Sequence, residues 1–325
     1  MGIVKWGILS TARIGGALLG GARETDAAEI VAVASRSEES AQAFADAHAI
    51  PRAHGSYEAL LADPGVEAVY VPLPNGMHVD WAAKALKAGK HVLCEKPMDR
   101  RPERVAHAFD VAEAAGLVLS EAFMWRHHPQ TARLRALLDE GAIGELRLVR
   151  ASFSFPLAGD ADVRLDPALD GGALMDVGCY CVSAVRLVAG REPLSVSAEA
   201  VTGASGVDLR LTGALRFDDD MLATIDCGFD MARRGELEVV GADGRILLAD
   251  PWHGYAPRLV LERGEDREVI DIDPVNSYRL ELEDMAAAVV GERPPLLGRE
   301  DAIGQARAIE ALYRSAAEGR AVALS

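Results

Sequence analysis

A glutamate and a lysine at the end of a short apolar run are the residues of this chain best placed to do chemistry. Residues 91–97 read His-Val-Leu-Cys-Glu-Lys-Pro. Val92 to Cys94 form a buried strand, and Glu95, Lys96 and Pro97 stop it. A carboxylate, an ammonium and a helix-breaking ring are poor core material, and ligands of open α/β sheets bind where strands end. Lys96 is therefore read as standing where a cofactor-binding half meets a substrate-binding half. A second pair lies far along the chain. Residues 173–189 are apolar almost all round, as in a buried helix, yet they carry Asp176 and Tyr180 four apart on one face. A carboxylate and a phenol in such a place each need a partner. An internal hydrogen bond to backbone is the alternative to a reacting role.

The elements that position Lys96 follow from periodicity. Strands at residues 3–9, 30–34, 68–71, 91–94 and 117–120 alternate with helices after residue 15, at about 38–48, at 57–62, after Asn75 and between Pro102 and Gly116. Short strands alternating with helices give repeated βαβ units and a parallel sheet, an α/β fold of Rossmann type over residues 1–121. The turn Ser10-Thr11-Ala12-Arg13-Ile14-Gly15 occupies the place of a dinucleotide fingerprint. Only the last of its three glycines is present, but small residues still admit a pyrophosphate to a helix N-terminus. A tight strand–helix turn without a ligand is the alternative. At the end of the second strand, where an NAD site usually carries an acid for the ribose 2′-hydroxyl, stand Ser35 and Arg36. A guanidinium there suits a 2′-phosphate, which favours NADP and leaves NAD possible.

After the crossover at 121–129 the pattern changes. Residues 122–325 are read as a substrate-binding and oligomerisation domain. Leu209, Leu211, Leu215 and Phe217 alternate with Arg210, Thr212 and Arg216, and similar alternations recur up to residue 272. That is a large, mostly antiparallel open sheet in an α+β domain, with one face covered. The other face is only partly polar, so a homodimer is expected. Stripes at 278–289 and 301–317 mark two packing helices, the first capped by Asn276.

Net charge is −16, from 34 basic and 50 acidic groups without a basic block, which argues against nucleic acid or an anionic membrane as partner. No apolar run is read as membrane-spanning and no signal peptide as present, so a cytoplasmic protein is expected. The four cysteines form no Cys-x-x-Cys pair, which leaves buried thiols rather than a metal site or disulfides.

Five motifs in order give the chain a resemblance to the Gfo/Idh/MocA family of nicotinamide-dependent oxidoreductases. They are Gly7 to Gly15, Pro74-Asn75-Gly76-Met77-His78, Glu95-Lys96-Pro97, Glu121 to Arg126, and Gly171 to Tyr180. The last two resemble the branch of dimeric dihydrodiol dehydrogenases and NADP-dependent D-xylose 1-dehydrogenases. The resemblance implies that Pro72, Leu73, Asn75, His78, Glu95 and Lys96 border the nicotinamide ribose. It also implies that Trp125 and Arg126 help wall a pocket for a sugar or diol, with Phe153, Phe155 and Trp252 as further aromatic candidates. For His78 a hydrogen-bonded residue near a helix start is the alternative reading, and for the aromatics a place in the core.

The chemistry so implied is hydride exchange between nicotinamide and a carbon bearing hydroxyl or carbonyl, with the protein moving one proton. Tyr180 stands where many relatives carry histidine, and a phenol needs a nearby cation to work at neutral pH. Lys96 is expected to supply it, and Asp176 to orient Lys96 or the substrate. The alternatives are a trans-dihydrodiol, inositol or keto-sugar dehydrogenase or reductase, a cofactor-assisted glycoside hydrolase, or a non-enzymatic sensor that binds nicotinamide nucleotide.

Overall fold

The computed structural model describes residues 2–159 and 162–324. The chain divides into two units, Met1–Met124 with Asn276–Ile303, and Trp125–Val275 with Gly304–Ser325.

The first unit is built on a six-stranded parallel sheet in the order β3-β2-β1-β4-β5-β6. Its strands are β1 (Val4–Leu9), β2 (Ala28–Ala34), β3 (Arg52–His54), β4 (Ala68–Val71), β5 (His91–Glu95) and β6 (Leu119–Ala122). Between them run α1 (Gly15–Ala22), α2 (Glu38–His48), α3 (Tyr57–Leu61), α4 (His78–Lys87) and α5 (Pro102–Ala115). Local signals set most boundaries. Ser37 and Ser56 cap α2 and α3 by accepting from Ser40 N and Ala59 N at 3.2 and 3.1 Å, and Gly116 ends α5 at φ 66°. Two details depart from expectation. Strand β3 was not anticipated, because three residues show no alternation and become a strand only by pairing along the edge of β2. Asn75 opens a short 3₁₀ turn, Asn75–Met77, instead of capping α4.

The larger departure is α8 (Ser277–Val289). Sequence reading placed residues 122–325 together, but Leu282, Met285 and Ala286 of α8 pack with Trp6, Ile8, Leu18, Tyr70 and Leu93 in the core of the first unit. Gly21 of α1 lets α8 approach, since a Cβ there would lie 2.6 Å from Arg279 N. An apolar stripe says that a helix packs, not which sheet it packs on. Burying Leu282 and Met285 contributes about 1.5–3 kcal/mol each.

The second unit carries a nine-stranded sheet in the order β14-β13-β12-β11-β7-β10-β9-β8-β15. These strands are β7 (Leu146–Ser154), β8 (Ser195–Thr202), β9 (Asp208–Arg216), β10 (Leu222–Gly228), β11 (Arg234–Gly241), β12 (Arg245–Leu248), β13 (Arg258–Arg263), β14 (Asp266–Asp271) and β15 (Val322–Ala323). Only β7 and β10 run parallel, and every other neighbour is antiparallel. On β9 the alternation holds as read, with Leu211 and Leu215 buried and Arg210, Thr212 and Arg216 exposed. The helices are α6 (Pro129–Asp139), α7 (Cys179–Ala189) and the end of α9 (Arg299–Glu318), within which the unit boundary falls.

The segment read as one helix over 173–189 opens with a π-helical turn, Leu174–Gly178, before α7. Pro167–Ala189 is long and apolar enough to cross a membrane by length and composition, contrary to the sequence reading, yet 78% of its apolar window is buried in the protein. A core helix of this kind passes the same test.

Candidate active site

In the first unit the ends of β1, β4 and β5 are tied together by side chains. Ser10, directly after β1, takes φ 147°, a conformation that favours glycine, at the position where the dinucleotide fingerprint has its first glycine. Its hydroxyl donates to Pro72 O and accepts from Ala12 N, each at 3.1 Å, so one side chain both fixes the turn and links it to the end of β4. Thr11, Ala12, Arg13 and Ile14 complete the turn into α1. No side chain caps α1 and no acid stands in its first turn. Such an end fits a pyrophosphate, which takes up helix N–H groups and the positive end of the dipole.

His78 is 1% exposed, with Nε2 2.6 Å from Leu73 O and Nδ1 2.9 Å from Pro97 O. Burial holds its pKa below the ordinary histidine range, and the Lys96 charge adds to this against its two backbone contacts. A neutral ring donates through one nitrogen only. His78 thus fastens the loop after β4 to the one after β5, as the hydrogen-bonded alternative proposed. At the end of β2, Ser35 is buried, whereas Arg36 is exposed and makes no ion pair among the described residues. The strand end itself carries no acid, and the nearest in sequence are Glu38 and Glu39 in the first turn of α2.

Glu95 accepts from Lys96 N at 3.2 Å through one oxygen, and from the Tyr70 hydroxyl through the other. Glu121, at the neighbouring strand end, accepts from Met98 N at 2.6 Å, and Asp99 pairs Arg101 and Arg104 at 2.7 and 3.1 Å. The loop carrying Lys96 is therefore held by carboxylates on both sides.

Behind it lies a residue that sequence reasoning missed. Glu281 of α8 is 1% exposed, and neither of its carboxyl oxygens has a hydrogen-bond partner among the described residues. Burial pushes its pKa well above the carboxylate range, and the charges of Glu95 and Asp284 push it further. Tyr70, fully buried, is likewise raised by burial first and by Glu95 next. The only sequence signal was a charged residue within the apolar stripe at 278–289, three positions after Tyr278 and four before Met285.

In the second unit Asp176 and Tyr180 flank the step from π turn to α-helix. The start of that turn is clamped by Asp208, which accepts from Leu174 N at 2.7 Å and from the Tyr313 hydroxyl at 2.8 Å. Gly172 makes room, since a Cβ there would lie 2.1 Å from the Asp208 carboxylate. Asp176 accepts from Arg164 Nε at 2.7 Å, and the Arg164 Nη1 reaches Asp162 at 3.2 Å. Arg164, Asp208 and Tyr313 were not singled out from sequence, because nothing local links them to Asp176.

The Tyr180 ring is fixed edge-on by Phe153 at 5.3 Å and Trp252 at 5.8 Å between centroids. Trp125 packs edge-on against Trp252 at 5.6 Å, and both indoles are 1% exposed. These aromatics are the packed layer that holds Tyr180, the core alternative, instead of an open wall. Arg126 and Phe155 are half-buried. Arg126 donates to Ser183 Oγ at 3.2 Å, while Phe155 packs on Phe229 at 5.4 Å with Arg233 above it. All four cysteines are free and buried. Among the described residues no group of three or more His, Cys, Asp or Glu is placed to hold a metal.

Comparison with known proteins agrees with this architecture. Residues 4–123 match the oxidoreductase family model for an NAD-binding Rossmann fold, and residues 131–247 match the GFO/IDH/MocA C-terminal domain. The chain belongs to the GFO/IDH/MocA family of oxidoreductases. It is 43% identical over 326 residues to D-xylose 1-dehydrogenase (NADP(+)) 2 of Haloferax volcanii, covering 99% of this chain and 100% of that protein. A trans-1,2-dihydrobenzene-1,2-diol dehydrogenase of Xenopus laevis is 34% identical, over 81% of this chain and 79% of that one. Among solved structures, a 3-ketoreductase from Actinomadura kijaniata in complex with NADP and TDP-benzene superposes with a TM-score of 0.91 at 31% identity, covering 97% and 98% of the two chains.

Proposed function

We propose that the protein is an NADP-dependent dehydrogenase or reductase acting on a CH–OH carbon of a sugar or related polyol, in the manner of a D-xylose 1-dehydrogenase. The carrying observation is end-to-end identity of 43% with an NADP-dependent D-xylose 1-dehydrogenase. Arg36, exposed at the end of β2 where an NAD site usually carries an acid, supports NADP. Diol and keto-sugar relatives keep those substrate classes as the second reading.

When bound, the nicotinamide supplies or accepts the hydride. The residues of this chain bind, orient and move one proton. The turn from Ser10 to Ile14 takes the pyrophosphate, and Ser35 and Arg36 take the adenosine ribose and its 2′-phosphate. Pro72, Leu73, Asn75 and Glu95 border the nicotinamide ribose, with His78 fixing their loops. Lys96 polarises the substrate oxygen and favours the phenolate of Tyr180, which takes the hydroxyl proton in oxidation and returns it in reduction. Asp176, held by Arg164, orients the substrate hydroxyls. Phe155 and Arg126, both half-buried, are the candidates for contact with the substrate, and Trp125 and Trp252 back Tyr180.

Turnover with NADP⁺ and NAD⁺ against D-xylose, other aldoses, inositols and dihydrodiols tests the substrate class. Lys96→Ala and Tyr180→Phe should each cut kcat by about 10²–10⁴-fold while NADPH still binds. Near-wild-type rates in both would overturn the assignment.

We also infer a cytoplasmic homodimer joined through the outer sheet face. Leu222 on β10, Val201 on β8 and Val269 on β14 are large apolar side chains exposed on that sheet. Sedimentation as a monomer at micromolar concentration would refute the dimer.

A further inference from the structure

Glu281 is a fully buried carboxyl whose two oxygens have no hydrogen-bond partner among the described residues. It lies inside the core face of α8, and the charge that acts on it most is that of Glu95, the residue before Lys96. Helix α8 brings Tyr278 and Asp284 to the same region, and Asp284 pairs with Arg293 and accepts from Leu296 N at 2.9 Å. From the sheet come Glu95 on β5 and Tyr70 on β4. Two other elements pack on α8 and bring no charge to Glu281. Helix α1 reads Gly-Gly-Ala-Leu-Leu-Gly-Gly-Ala, and the one ionisable residue of β2, Glu29, is exposed.

Burial and the Glu95 charge both oppose ionisation of Glu281, and half-buried Glu95 is the carboxyl that receives the Tyr70 proton donor and the Lys96 N–H. Glu281 is therefore the member that keeps the proton. Such a proton responds to any change of charge nearby, and one step of the reaction makes such a change. The oxidised nicotinamide ring is a cation and the reduced ring is neutral.

We propose that Glu281 is a redox-linked proton store for this site, losing its proton when the oxidised cofactor binds beside Glu95 and regaining it with the reduced cofactor. The proposal rests on the reading that the nicotinamide lies at Glu95 and Lys96. Glu281 acts through Glu95, without touching substrate or cofactor, and is a positioning residue. The proton count closes. On NADP⁺ binding, the Glu281 carboxyl becomes a carboxylate and its proton passes to solvent. Hydride transfer then turns the substrate alcohol into a carbonyl and NADP⁺ into NADPH, and the hydroxyl proton leaves through Tyr180. With the ring neutral, Glu281 takes one proton back from solvent. Each turnover thus releases one proton net, while Glu281 returns to its starting state.

Calorimetric titration of the full-length protein with NADP⁺ and with NADPH tests this, in two buffers of different ionisation enthalpy at pH 7 and 8.5. The buffer dependence of the heat counts protons. NADP⁺ should release more than NADPH, by a few tenths up to about one proton at one of the two pH values. Glu281→Gln should bind NADP⁺ within about tenfold of wild type, and the difference between the two cofactors should vanish.

A second measurement needs no variant. Infrared difference spectra of the wild type should lose a deuterium-sensitive protonated-carboxyl band on adding NADP⁺ and keep it with NADPH. Equal proton counts for both cofactors in the wild type, or a difference that survives in Glu281→Gln, would overturn the proposal. Failure of the underlying reading looks different. Lys96→Met would then turn over normally, whatever the proton count.

Discussion

Replacing Glu281 with glutamine removes one ionisable group from the core and leaves shape and neutrality otherwise intact, so the effect on stability is worked from linkage alone. The folded-state pKa of Glu281 is raised, by burial first and then by the charges of Glu95 and Asp284. Unfolded, the group titrates near 4.3. A carboxyl raised in this way contributes stability that is fully present below about pH 4.3 and is lost as pH rises through the folded-state value. Within that window the native chain binds up to one more proton than the unfolded chain, and stability falls by up to about 1.4 kcal/mol per pH unit. The glutamine variant has no such loss. Its advantage over wild type should be small near pH 4 and grow as pH rises. For a unit of this size that corresponds to up to about 3–5 °C in Tm per pH unit. The assay is thermal unfolding of the two proteins in matched buffers from pH 4.5 to 8. Melting curves that stay parallel across this range would refute the reasoning, since they would mean Glu281 is not holding a proton in the native state.

Two further outcomes follow from the geometry. Arg36→Ala should weaken NADPH by about 10- to 150-fold, the worth of a charge-assisted hydrogen bond, while NADH changes by less than about twofold. Equal loss for both cofactors in a direct binding titration would remove Arg36 from the phosphate. Arg164→Gln should raise the substrate KM by about tenfold or more by loosening Asp176, with NADPH affinity unchanged and partial recovery in Arg164→Lys. An unchanged KM would show that the Arg164–Asp176 pair is structural only.

What could be read from the sequence is what nearest-neighbour chemistry controls. Strand and helix periods, the cap Asn276 and the glycine after α5 are local, and they came out at nearly the right residues. Glu95, Lys96, Asp176 and Tyr180 stood out for the same local reason, because a polar residue at the end of an apolar strand or inside an apolar helix is conspicuous by itself. Residues whose role depends on a partner far along the chain did not. Asp208 meets Leu174 and Tyr313, and Arg164 meets Asp176, only after the sheet has formed. Trp125 and Trp252 were legible as aromatics, but their burial behind Tyr180 depends on a contact between residues 127 positions apart. Glu281 is the extreme case, since its helix had no sequence feature naming the sheet it joins.

That return of α8 bears on the charge at the end of β5. Lys96 alone would present a net positive corner to an oxidised, cationic nicotinamide, which opposes binding. Glu95 cancels it, and its hydrogen bonds to Tyr70 and to Lys96 N stabilise it as the carboxylate. An ionised Glu281 would add a second negative charge near Glu95 and compete for the Tyr70 proton. A hydrophobic residue at 281 would keep the corner neutral but could never change its charge. A buried acid does both, neutral when the ring is neutral and able to ionise when the ring is not. The cost is two unpartnered oxygens in a packed core, about 1–3 kcal/mol of lost stability each. A penalty of that size at a core position, next to the strand end that carries Lys96, points to a residue kept for its charge chemistry, because any apolar side chain of similar volume would make the first unit more stable.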